Sequence, residues 1–88
     1  MTIDKKDRIL LKLAEECGEL TQQCIVQVLK KQGREYKNIL EELADVGMYI
    51  EIFMSLPENK EHIPFVSNRM EKKRESLEKW WLGHDDGL

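Results

Sequence analysis

The chain has 88 residues, of which 41% are hydrophobic and 35% charged, and its net charge is −3. This length allows one domain, residues 1–88, and buries only about 60–65% of the unfolded surface, so the core of one copy is marginal and association with a second is expected. An acidic chain is unsuited to broad binding of nucleic-acid polymers, which relies on Lys and Arg, and no apolar run approaches the roughly 20 residues of a membrane span.

The first helix is expected from about Asp4 to Lys31, because apolar residues recur there every three or four positions. Asp4 and Asp7 can form its N-terminal cap, and Gly33 is its expected stop. Its predicted apolar face consists of Ile9, Leu13, Cys17, Leu20, Cys24 and Val28.

Two cysteines lie on this first helix. Cys17 and Cys24 are seven residues apart, roughly 10 Å along the axis, which is too far for a disulfide within the helix. They have no nearby His that would complete a zinc pattern. We therefore expect two small buried thiols. The first residues, Met1–Lys6, lack the apolar segment of a signal peptide, so the expected compartment is cytoplasmic.

The second helix is expected from Tyr36 or Asn38 to Leu56. Asn38 followed by Glu41 resembles a capping pair, and Pro57 is the expected stop. Its predicted apolar stripe consists of Ile39, Leu43, Val46, Ile50, Phe53 and Met54.

The third helix is expected from about Pro64 to Leu82, since Pro is well tolerated in a first helical turn. Residues 58–63 would form an extra turn or extend this helix with a kink, and residues 83–88 would be a loose tail. Its predicted apolar line is Val66, Met70, Leu77 and Trp81. The predicted fold class is therefore all-α, an antiparallel bundle of three main helices or part of one.

Two pairs of carboxylates border the predicted apolar faces. Glu16 and Glu19 are one turn apart on the first helix, and Glu42 and Asp45 are related in the same way on the second. If the helices pack by their apolar faces, the four carboxylates would converge, and a hard divalent cation such as Mg²⁺ would relieve their repulsion. The alternative is a solvated acidic face, because Glu is a good helix former. The polar stripe beside the first apolar face comprises Lys12, Glu16, Glu19 and Gln23.

The acidic residues also form a double motif. Glu15-Glu16-Cys17-Gly18-Glu19 is followed, after residues 20–41, by Glu42-Leu43-Ala44-Asp45. This pattern resembles the signature of the MazG-like all-α nucleotide pyrophosphohydrolases, which include MazG proteins, dimeric dUTPases, dCTPases and phosphoribosyl-ATP pyrophosphohydrolases. The resemblance covers about residues 8–56, whereas the third helix matches only in general character.

The resemblance implies a function, a metal site and an assembly. The metal ligands would be Glu16, Glu19, Glu42 and Asp45, with Glu15 in the second shell or positioning water. Mg²⁺, with Mn²⁺ as a substitute, would promote cleavage of the α–β phosphoanhydride of a (d)NTP to a nucleoside monophosphate and pyrophosphate. The chain would be a homodimer or a tetramer of dimers, with a four-helix core completed by homo-oligomerisation.

Four further residues are candidates for substrate binding. Lys12 flanks the first acidic motif, and Tyr49 lies one turn after Asp45, although packing in the core or an interface is an alternative for a tyrosine. On the third helix the resemblance suggests phosphate contacts from Lys73 and Arg74. The alternative for these two is a charge-balanced surface, with partners at Glu71, Glu75 and Glu78.

Other functions are compatible with the sequence. A MazG-like module could bind nucleotide and metal without turnover, or the substrate could be phosphoribosyl-ATP. A plain helical oligomerisation protein is a third possibility, and it would be indifferent to Mg²⁺. Within the enzyme hypothesis, a house-cleaning role on damaged (d)NTPs and a specialised dCTP or dUTP pyrophosphatase both remain open.

Overall fold

The computed structural model describes residues 2–30 and 36–82, which contain three α-helices, one 3-10 helix and no strand. The α-helices are α1 (Lys5–Lys30), α2 (Lys37–Ser55) and α3 (Ile63–Leu82), and the 3-10 helix is Pro57–His62. The all-α expectation is confirmed for these residues, as is a separate turn before the third helix. The predicted helix end at Lys31, the stop at Gly33 and the tail 83–88 lie outside the described residues.

The helix ends differ in how they are capped. The Asp7 backbone N–H donates to the Asp4 carboxylate at 2.8 Å, which confirms the predicted cap of α1. The predicted capping pair of Asn38 and Glu41 is wrong, because α2 already begins at Lys37 and has no side-chain cap hydrogen bond. At its other end the Leu56 N–H donates to the Phe53 carbonyl, immediately before Pro57.

The chain divides by its contacts into two compact units, Met1–Leu56 and Pro57–Leu88. In the first unit α1 and α2 pack against each other along their length. The helices are antiparallel. Glu19 of α1 lies beside Glu42, whereas Lys12, earlier in α1, lies near Tyr49, later in α2. We call their line of contact the seam. Its buried and half-buried positions repeat in steps of three and four residues. They are Ile9, Leu13, Glu16, Leu20, Gln23 and Gln27 on α1, and Ile39, Glu42, Val46, Tyr49 and Phe53 on α2. Val26, Asp45 and Met54 are also half-buried, and each stands next to one of these positions.

The buried positions of the seam differ from both predicted apolar faces. Cys17, Cys24 and Val28 are exposed, as are Leu43 and Ile50. The expectation of two buried thiols is therefore wrong within one copy. The apolar pattern failed because polar residues occupy seam positions, which a search for periodic hydrophobic side chains passes over. These polar seam residues are Glu16, Gln23 and Glu42.

The misplaced apolar residues form a second surface, which we call the apolar side. They stand one position after seam residues, and in an antiparallel pair such positions lie on the same side of both helices. Leu43 and Ile50 keep 49% and 47% of their surface exposed, and Val28 keeps 69%. The apolar side comprises Leu10, Ala14, Cys17, Cys24 and Val28 of α1 with Leu40, Leu43, Gly47 and Ile50 of α2.

One copy buries very little. Of the described hydrophobic residues only Ile9, Val46 and Leu56 are buried, and no side chain is fully buried. The expectation of a marginal core therefore holds for the described residues. None of the helices in residues 2–30 and 36–82 has the length and hydrophobicity to cross a membrane.

The second unit consists of the 3-10 helix and α3. Asn59 is buried, while Val66 is half-buried and Met70 and Leu77 of the predicted apolar line remain exposed. The side chain of Trp81 lies outside the described part of the chain. The Arg74 guanidinium donates to the Glu71 carboxylate at 2.8 Å, so part of the basic cluster is paired within its own helix.

Candidate metal centre

Three of the predicted ligands meet at the middle of the seam. Glu16, Glu19 and Glu42 each offer a carboxylate oxygen, and these oxygens lie within 4.8 Å of one another. Glu16 and Glu42 belong to the seam itself and are half-buried, whereas Glu19 is exposed. Two carboxylates of α1 thus lie beside one of α2.

The half-buried carboxylates are short of hydrogen-bond partners. One oxygen each of Glu16 and Glu42 is buried and accepts no hydrogen bond. A buried polar atom without a partner is destabilising, and it is unusual in a native fold. Both carboxylates belong to the same cluster, so a cation bound between the helices would offer each of them a partner.

Burial and crowding favour the protonated form of these groups. Burial raises the pKa of Glu16 to about 7, assisted by the neighbouring charges of Glu19 and Asp45 and by the closeness of the Glu19 and Glu42 carboxylates. Burial also raises the pKa of Glu42, again with the charge of Glu19 as the next cause. The cluster therefore carries more negative charge than its surroundings stabilise.

The fourth predicted ligand lies beside the cluster. Asp45 is half-buried, and its charge contributes to the raised pKa of both Glu16 and Glu42. Its oxygens are outside the group that meets within 4.8 Å. Asp45 is thus close enough to act electrostatically, and a ligand role for it remains a prediction.

Glu15 is not part of the group formed by Glu16, Glu19 and Glu42. Its carboxylate accepts a hydrogen bond from the Lys12 ammonium at 3.3 Å, and both side chains are exposed. The same interaction is the main cause of the raised pKa of Lys12, and the nearby Tyr49 and Glu16 side chains contribute in the same direction. Lys12 and the half-buried Tyr49 therefore lie together at one end of the carboxylate cluster.

The two other candidates, Lys73 and Arg74, lie in the second unit. With Met70 and Leu77 they lie along one exposed surface of α3. The Arg74 pair with Glu71 agrees with the charge-balanced alternative for that residue. Their part in a phosphate site remains a prediction.

Gln23 is a seam residue to which the sequence pattern assigned no role. It is half-buried, seven residues after Glu16 and one turn after Glu19. The heptad spacing from Glu16 would have identified it, had the seam been placed through the glutamates. Its amide can both donate and accept hydrogen bonds, which a carboxylate cluster alone cannot do.

The chain was also compared with known proteins. No family model, no curated protein sequence and no solved structure matches it.

Proposed function

We propose that the chain is a Mg²⁺-dependent nucleotide pyrophosphohydrolase. It would hydrolyse the α–β phosphoanhydride of a (d)NTP, so that a nucleoside triphosphate and water give a nucleoside monophosphate, pyrophosphate and a proton. The observation that carries this proposal is the convergence of Glu16, Glu19 and Glu42 from two helices, with a buried unpartnered oxygen on two of them.

The donor set fits a hard divalent cation. All three groups offer carboxylate oxygens, which Mg²⁺ prefers, and they leave coordination positions for water and for phosphate oxygens. Mn²⁺ accepts the same ligands. Glu16, Glu19 and Glu42 would hold the ion, with Asp45 as the proposed fourth ligand. When bound, such an ion neutralises phosphate charge and makes a bound water more acidic.

The proposed contribution of the protein is to position the phosphate chain of the substrate. Ligands on two packed helices have their backbone fixed by the seam, which holds the phosphate chain in one place. The net charge of −3 would repel a polyphosphate, so the substrate would bind as its metal complex. Lys12 and Tyr49 are the candidate substrate contacts closest to the carboxylates.

We further propose that the protein works as a homodimer or a tetramer of dimers. The apolar side exposes hydrophobic side chains of both helices of the hairpin, including Leu43 and Ile50. The α1–α2 pair of a second copy, placed on this side, would make a four-helix core and bury the hydrophobic side chains that one copy leaves exposed. Glu19 is not among the residues of the apolar side, so the carboxylates would stay accessible in such a dimer.

The test is a turnover assay with a matched pair of variants. The purified protein is incubated with NTPs, dNTPs and phosphoribosyl-ATP, with and without Mg²⁺, and the products are separated. Glu42→Gln is expected to lower turnover by at least about 100-fold, since even outer-shell partners of metal sites are worth roughly 10–100-fold. Glu51→Gln removes the same charge from an exposed position of α2 outside the seam and should leave turnover unchanged.

Each other result has a distinct meaning. Diphosphate with free phosphate would overturn the assignment of the cleaved bond. Turnover of phosphoribosyl-ATP alone would identify that branch of the activity. Without turnover, Mg²⁺ that still raises the melting temperature would favour a binding module, since a ligand of the folded state stabilises it. If neither turnover nor stabilisation by Mg²⁺ is observed, the remaining interpretation is a helical assembly protein.

A further inference from the structure

The apolar side has a notch formed by its two smallest residues, Ala14 of α1 and Gly47 of α2. Glu42 lies beside Glu16 and Glu19, and this register of the antiparallel helices places Gly47 level with Ala14. Apart from its chain neighbours and the local helix backbone, a Cβ added at Gly47 would meet no atom within 4 Å. The notch is therefore open in one copy.

The packing of one copy gives no reason for a glycine at position 47. Glycine inside a helix is less stable than alanine, and an alanine here would meet no obstacle. The apolar-side residues before and after it on α2, Leu43 and Ile50, are 49% and 47% exposed. A large side chain of another molecule, packed into the notch between them, would use the space that the glycine leaves.

The charge and size of the apolar side suit a second copy of the chain. None of the described residues that form it is charged, and Thr21, which lies on the same line of α1, is uncharged too. Two such faces therefore meet without opposing like charges. The face is about 27 Å long and about 20 Å wide, roughly 500 Å² per copy, which reaches the ~1,000 Å² total of a specific interface.

We propose that two copies pair through antiparallel α2 helices, with Leu43 of each copy packed into the notch of the other. This inference rests on the dimer in the proposed function. The apolar-side residues of α2 are Leu40, Leu43, Gly47 and Ile50, and they are symmetric about position 45. A two-fold axis at that position brings Leu43 onto the partner's Gly47 and Leu40 onto the partner's Ile50, so both copies make the same contacts.

The other way to stack the two apolar sides places α2 against the partner's α1. Ala14 and Gly47 would then face the same two residues of the partner, and the two notches would join into one cavity. A cavity in an apolar core is destabilising, because protein interiors are close-packed. Pairing α2 with α2 instead puts one large side chain into each notch.

A large-to-small exchange between positions 43 and 47 tests this arrangement. Sedimentation of the full chain gives the dissociation constant of the dimer for wild type, Gly47→Leu, Leu43→Ala and the double variant. Gly47→Leu is expected to weaken association at least about tenfold by overfilling the notch, and Leu43→Ala by a similar factor through a cavity. The double variant moves the large side chain to the other member of each pair and should return to within about threefold of wild type.

Gly18→Leu is the matched control. Gly18 lies two residues after the seam residue Glu16, about 200° around the helix, so it is on the outer surface of α1. A Cβ there also meets nothing within 4 Å. Both substitutions replace a helical glycine by a better helix former, so circular dichroism should show undiminished helix content in each. Only Gly47→Leu should change association.

The other outcomes separate this inference from the proposed function. Unchanged or tighter association of Gly47→Leu overturns the α2–α2 arrangement, because the notch would then be unfilled or would face the partner's notch. A double variant no better than the single variants, or equal weakening by Gly18→Leu, overturns the pairing of Leu43 with Gly47. In these cases the dimer stands. Monomeric wild-type protein overturns both the arrangement and the dimer, and the turnover assay tests the activity independently.

Discussion

At Glu16, burial in the seam favours a neutral side chain, whereas the proposed metal binding needs an ionised carboxylate. It occupies a seam position where a hydrophobic side chain would pack, and burial raises its pKa to about 7. Without a metal, the ionised form therefore opposes the packing of α1 on α2. With a cation, the same carboxylate would join the two helices.

This conflict predicts a pH dependence of stability in EDTA. Between the ordinary value of 4.5 and about 7, folded Glu16 keeps a proton that the unfolded chain has released. Stability must then fall as pH rises through this range and level off above it. Urea unfolding between pH 4.5 and pH 8 is expected to show this fall, and Glu16→Gln should flatten it and be more stable than wild type at pH 8.

Glu51→Gln serves as the control for that measurement. It removes an exposed carboxylate of α2 and should keep the wild-type slope. A slope that survives unchanged in Glu16→Gln would show that other groups are responsible. With saturating Mg²⁺ the wild-type slope should reverse, because metal binding requires the ionised carboxylate.

At the scale of elements, α1 and α2 form through different local signals. α1 has a side-chain cap at Asp4, whereas α2 begins at Lys37 without one. α2 therefore depends more on its packing in the seam, where Val46 is buried. Short helices in water are marginal on propensity alone, so this dependence is physically expected.

Asp4→Ala and Asn38→Ala test this difference. Loss of the Asp4 cap is expected to cost about 0.5–2 kcal/mol of unfolding free energy. Asn38→Ala should change it by no more than about 0.5 kcal/mol, as for surface positions without special features. Chemical denaturation of both variants measures the contrast, and an equal loss in the two would restore the capping role of Asn38.

At the scale of the whole molecule, the described residues of one copy bury too little to explain a stable fold. Three hydrophobic residues are buried, while hydrophobic side chains of both helices stay exposed on the apolar side. Small chains often compensate for a marginal core by association. We therefore expect the stability of the chain to depend on formation of the proposed dimer.

Leu43→Gln tests the proposed dimer, and Met48→Gln is its matched control. Both side chains are about half exposed and lie on α2, but Met48 is not on the apolar side. Leu43→Gln is expected to lower the mass seen in sedimentation or light scattering and to weaken association at least about tenfold. Met48→Gln should sediment as wild type. Monomeric wild-type protein at micromolar concentration would contradict the proposed assembly.

Local sequence signals account for the helices and for the one-turn spacing of the acidic residues within each helix. Helical periodicity, Asp4 and Pro57 act over a few residues, and the one-turn spacing of Glu16 and Glu19 is fixed by helix geometry. The tertiary structure decided which face of each helix is buried. Hydrophobic periodicity selected stripes that combine seam residues with residues of the apolar side. It passed over Glu16 and Glu42 because these seam positions are polar. Only the packing of α1 on α2 placed those carboxylates inside it and left Cys17 exposed.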